Sequence, residues 1–124
     1  MYARAARVYS TVDLESAPKT QIVERLYDRF DRDLSTARAA IAARDIKAKA
    51  AALDHATEIV ITLRTALDRK AAPELCANLD SLYVFVLAQL GKANATLSPK
   101  PLDAAAKIMA QLGEAFRAAH RMVP

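Results

Sequence analysis

The chain has 124 residues, of which 53% are hydrophobic, 26% charged and 6% aromatic, a length that suits one domain rather than two. Its 28 alanines and 14 leucines stand against 2 glycines and 5 prolines, rich in helix formers and poor in the turn residues that a many-stranded sheet consumes, so the chain reads as all-α. The formal charge is +4, but the 18 basic and 14 acidic residues interleave throughout, without the gathered basic stripe or aromatic interleaving that nucleic-acid binding requires.

Residues Met1–Ala17 form a separate arm, in which Val8, Tyr9, Val12 and Leu14 make an apolar patch among Arg4, Arg7, Asp13 and Glu15. It is too short for a stable helix alone; it either frays or lies across the body as a cap helix. Pro18 suits the first turn of a helix, and Ile22, Val23, Leu26, Tyr27, Phe30, Leu34, Ala37 and Ile41 follow at helical spacing. Ala43-Arg44-Asp45 breaks that run, with Asp45 placed to cap a second helix carrying Leu53, Ala56, Ile59, Val60, Leu63 and Leu67. The stretch Asp68–Pro73 breaks it again. A third helix then carries Leu75, Leu79, Leu82, Tyr83, Val86 and Leu90 up to Gly91, which interrupts it at a cost of about 1 kcal/mol relative to Ala. After Ala95–Pro101 a fourth helix carries Leu102, Ala105, Ile108, Leu112, Ala115 and Phe116. Links this short force neighbouring helices antiparallel. The expected architecture is an up-down-up-down four-helix bundle over residues 18–124, with the arm completing a single domain.

Three side chains do not fit the core stripes. At about 100° per residue, Val84 and Phe85 fall off the apolar seam of the third helix, and Ile61 opposes the Ile59–Leu63 seam of the second. Two readings stay open: these helices are the most buried pair, or their outer faces receive another chain.

Little in the chain suits catalysis. Cys76 is the single cysteine, which points to a reducing compartment and a packed thiol. His55 and His120 lie in different helices, and His55-Ala56-Thr57-Glu58 reverses the metal-binding Glu-x-x-His order and occurs once. Neither a metal, a cofactor nor an enzymatic activity is expected. The longest uncharged stretch, Ser81–Gly91, is far short of the roughly 20 residues of a membrane span, and no apolar run follows Arg4 and Arg7 to make a secretory signal. A cytoplasmic protein is expected. On the residues alone, a structural helical module that dimerises through its apolar faces and a phosphotransfer bundle acting through His55 remain alternatives.

The order of short motifs resembles the flagellin export chaperones of the FliS family over nearly the whole chain. Tyr9 precedes Ser16-Ala17-Pro18 and Leu26-Tyr27-Asp28; Asp45-Ile46-x-x-Lys49, Ala56-x-x-Ile59-Val60-x-x-Leu63 and Leu67-Asp68 follow. The most specific piece is Asn78-Leu79-x-x-Leu82-Tyr83-x-Phe85-Val86 with Leu90-x-x-Ala93-Asn94, and the end matches through Leu112-x-Glu114-Ala115-Phe116. The chain departs from the pattern in an early proline, in Gly91, in its basic balance, and in Phe116, where the family typically has tryptophan. The resemblance implies a four-helix chaperone that holds the disordered C-terminal segment of flagellin in apolar grooves. It would thereby prevent premature polymerisation and assist passage through the flagellar secretion system. The implied partners are that segment and the flagellar export gate, with a co-chaperone as a further candidate. The implied contact residues are Tyr9 and Leu14 on a covering arm, Leu26 and Tyr27 at its edge, and Ile59, Leu63, Leu67, Leu82, Tyr83, Val86, Leu90 and Asn94 in the groove.

Overall fold

The helix formers do fill four long segments. The computed structural model describes residues 17–122, and the side chains of residues 21–119. It contains α1 (Ala17–Ala42), α2 (Ile46–Thr65), α3 (Pro73–Thr96) and α4 (Lys100–Met122), with no strand among the described residues. The expected arm, its cap helix, Tyr9 and Leu14 lie outside the described residues. Each helix packs on its neighbours in sequence, and α1 closes the ring against α4. Polar pairs fix the direction of travel. Lys49 meets Asn94 and Arg64 meets Asp80, so α3 runs against α2; Asp28 meets Arg117 and Arg38 meets Asp103, so α4 runs against α1.

The first corner shows how three residues reverse the chain. Asp45 N–H donates to the carbonyl of Ala40 at 2.9 Å and Arg44 N–H to that of Ile41 at 3.1 Å, the paired bonds that satisfy the open carbonyls of a helix end. This geometry puts Arg44 at φ 57°, a left-handed conformation that glycine adopts at least cost. Asp45 then caps α2, its carboxylate accepting from Ala48 N–H at 3.0 Å, as its placement in the sequence predicts. The second link is organised by Asp68, whose carboxylate accepts from Lys70 and Ala71 N–H. Pro73 then opens α3 in its first turn.

Inside, the seam leucines meet a belt of aromatic rings. Phe30, Tyr83 and Phe116 are among the largest fully buried side chains. Tyr27 and Tyr83 share a 2.7 Å hydroxyl–hydroxyl hydrogen bond across the core, and Tyr27 lies 6.3 Å, centroid to centroid, from Phe116. Phe116 is thus buried against Tyr27 in the core. Gly113 lets α4 close on α1, because an added Cβ would sit 3.3 Å from Tyr27 Cγ. Ala37, Ala40, Ala52 and Ala56 are buried between α1 and α2.

Gly91 does not break α3. The helix continues through it to Thr96, held by buried Leu90 and Ala93 on either side, and a Cβ at Gly91 would meet nothing within 4 Å. The Gly91→Ala variant should gain about 0.5–1 kcal/mol of stability by restricting the unfolded chain. Arg44→Gly should gain a similar amount by relieving its left-handed backbone. Chemical denaturation checks both, and an unchanged or lowered midpoint for either would count against the corresponding reading.

Candidate functional site

The bundle seals its inner seam but leaves large apolar side chains in solvent on α2 and α3. Val84 is 45% exposed, Phe85 41%, Leu82 36% and Ile61 41%. Their grouping follows from the register. Arg64 grips Asp80 with Nε at 2.7 Å and Nη2 at 3.2 Å. Ile61 lies one turn before Arg64 and Val84 one turn after Asp80, so in antiparallel helices the two sit side by side on the α2–α3 flank. Leu82 and Phe85 are three residues apart and share the other flank of α3, toward α4.

The α2–α3 flank is apolar at its far end as well. Ile46 and Leu97 are both exposed, each three residues beyond the Lys49–Asn94 pair. Roughly 22 Å of helix separates Ile46 from Ile61 at 1.5 Å per residue. Between them Lys49 is buried, its ammonium donating to the Asn94 carbonyl at 2.8 Å. That carbonyl belongs to the last turn of α3, where backbone acceptors are left open and the helix dipole favours a cation.

The residues named for contact in the sequence divide sharply. Tyr27, Ile59, Leu63, Leu67, Tyr83, Val86 and Leu90 are all buried in the core. The Tyr27 and Tyr83 hydroxyls hydrogen-bond to each other inside the core. Leu82 and Asn94 are exposed, and Leu26 is half-buried in a groove between α1 and α2. Leu63, Leu67, Leu79 and Leu90 are core residues because they define the helical stripe itself, whereas Leu82, expected on that stripe, is turned to solvent at its edge. The exposed apolar set was detectable from the same angular count, which sets Ile61, Val84 and Phe85 off that stripe.

Other reactive groups are occupied. Cys76 is buried, donates to the Asp68 carbonyl at 3.3 Å, and burial pushes its thiol pKa up, away from the reactive thiolate. His55 Nδ1 is bonded to the buried Asp33 carboxylate. Among the described residues no group of acids, histidines and cysteine is placed to hold a metal, and no helix is long and apolar enough to cross a membrane.

Fold and surface together define an all-α four-helix bundle with apolar side chains of α2 and α3 turned to solvent. Comparison with known proteins makes the class specific. A family model described as flagellar protein FliS matches residues 1–123, and the chain belongs to that family. It is 28% identical over 120 residues to the flagellar secretion chaperone FliS of Salmonella typhimurium, covering 93% of this chain and 89% of the relative. It is 30% identical over 103 residues to the Vibrio cholerae chaperone of the same name, covering 83% and 76%. With flagellar secretion chaperone FliSB of Pseudomonas aeruginosa it shares 30% identity over 117 residues, covering 90% and 93%. The resemblance read from the motifs is thus borne out, and the role is that of a chaperone in flagellar export; the matched relatives are named chaperones, not enzymes.

The charge cluster that aligns the apolar flank has its own signature. Hydrogen bonding from Arg64, against some desolvation and with help from Arg69 at 3.0 Å, holds the Asp80 pKa below the ordinary carboxylate range. A depressed acid pKa contributes stability above the unfolded value near 4, and that contribution is lost as pH falls through the folded value. Asp80→Asn should therefore lower the melting temperature at pH 7 and narrow its difference from the parent below about pH 4. An equal difference at both pH values would show that the charge is not what matters.

Proposed function

We propose that this chaperone holds the disordered C-terminal segment of flagellin along the outer flanks of α3, in the cytoplasm and without catalysis. The observation that carries the reading is the in-register exposure of Ile61 with Val84 on one flank and Leu82 with Phe85 on the other. Burial of apolar surface is the main driving force for such association. An unfolded segment can follow two flanks of one helix where a folded partner would reach only one. The mechanism is competitive burial: segment residues that would drive filament assembly are covered until release at the export gate. The arm, through Tyr9 and Leu14, shields this surface when no segment is bound, and arm and bundle act as one domain. Leu82 and Asn94 contact the segment directly, while Ile59, Leu63, Leu67, Tyr83, Val86 and Leu90 support the surface from beneath.

Titration calorimetry with flagellin, and with flagellin lacking its C-terminal tail, tests the reading. Tight binding to the first and none to the second is expected. The Ile61→Asp/Phe85→Asp double variant should weaken the complex about tenfold or more, since each change removes apolar contact worth of the order of 1 kcal/mol and inserts a charge that must be desolvated. Equal binding of both flagellins, or a stable dimer by light scattering that ignores flagellin, would overturn it.

A further inference from the structure

A second recess lies on the other side of α2. It is a groove of about 390 Å³ between α1 and α2, lined by Ile22, Arg25, Leu26, Arg29, Arg32, His55 and Ile59. On α2, His55 and Ile61 are six residues apart, about 120° around the helix, so this groove is separate from the α2–α3 flank. Its floor is apolar: Ile59 is buried, Leu26 half-buried and Ile22 52% exposed. Its outer rim on α1 is cationic, since Arg25, Arg29 and Arg32 are spaced four and three residues apart and project along one side. No carboxylate lines it. The adjacent Asp33 is engaged by His55 and, at 3.4 Å, by Arg29. Arg25 and Arg32 have no ion-pair partner among the described residues.

We propose that this groove docks an acidic amphipathic peptide segment of a partner protein, with one or two apolar side chains on the Ile22–Leu26–Ile59 floor and flanking carboxylates on the arginine rim. Arg25 and Arg32 supply charge-assisted hydrogen bonds in the forked geometry that carboxylates accept. The complementarity sets which segments dock and speeds their encounter. Three other occupants fit less well. A bilayer needs a broad apolar face, and Ile22 is the one floor residue that is largely exposed. A nucleic acid would find as its one ring the His55 imidazole, already engaged by Asp33, and no use for the apolar floor. A second copy paired by two-fold symmetry through this groove would set the same three arginines against each other.

The test uses the full chain and a fluorescein-labelled 14-residue peptide with a Leu-x-x-Leu pair flanked by glutamates, followed by anisotropy. Companion peptides carry lysine for glutamate or serine for leucine. The acidic apolar peptide should bind, and both companions should bind about tenfold more weakly or worse. Arg25→Ala/Arg32→Ala should lower affinity about tenfold, and raising salt should weaken the parent complex but not the variant's. The same variant should bind flagellin normally, which separates this site from the α3 flanks, and circular dichroism should show it folded. Equal binding of all three peptides, no effect of the arginine changes, or binding only to phosphatidylglycerol vesicles would overturn the proposal. A tighter peptide complex in Asp13→Lys/Glu15→Lys would assign the groove to the chain's own leading segment and overturn it too.

Discussion

A helix in a four-helix bundle touches two neighbours along the ring and turns its remaining surface to water. The sequence of α3 does not respect that division. Leu79, Tyr83, Val86 and Leu90 fill the inner side, and Leu82, Val84 and Phe85 continue the apolar character around the outer one. No arrangement of α1, α2 and α4 can cover both sides, because the short links hold all four helices to one antiparallel ring. Exposed apolar surface is thus a consequence of topology acting on this composition. An isolated leucine at a surface is ordinary; paired residues in register on two flanks of one helix are a surface with a shape.

That surface depends on a rigid interior. The Tyr27–Tyr83 hydrogen bond links α1 to α3 through the middle of the core, and Gly113 lets α4 approach the same tyrosine ring. Lys49 ties the start of α2 to the end of α3, and Arg64 ties the end of α2 to the start of α3. Two polar clamps therefore bracket the flank that carries Ile61 and Val84, fixing how far apart those side chains stand. Buried motif residues act on the outer surface in this way, by setting the register from within.

Much of this was legible in the chain. Asp45 as a cap, Pro73 as a helix start and the leucine stripes are local signals, read from a few neighbouring residues, and the structure follows them. Gly91 misled as an interruption, because packing of Leu90 and Ala93 outweighs a propensity cost of about 1 kcal/mol. What could not be read is pairwise and distant. Nothing local says that Arg64 will meet Asp80, that Tyr27 and Tyr83 will satisfy each other, or that Arg25 and Arg32 will stand without a carboxylate partner. The division between core and surface contacts was blurred for a related reason. A motif records positions on which the bundle depends, and in a small bundle most of those are core positions such as Leu63 and Val86.

Magnitudes constrain what kind of segment the α3 flanks can hold. Full burial of a large apolar side chain is worth about 1.5–3 kcal/mol. Covering the exposed two-fifths of Ile61, Leu82, Val84 and Phe85 therefore contributes roughly 2–5 kcal/mol in total, the range of millimolar affinity even before the segment's ordering cost. These four residues alone would not retain a disordered tail. A segment that also reached Ile46 and Leu97, roughly 22 Å along the α2–α3 flank, and crossed to the Phe85 side would engage both flanks at once. Each added contact would then raise affinity without bringing in a second molecule. On the proposed reading, retention would come from length and release from the weakness of every individual contact.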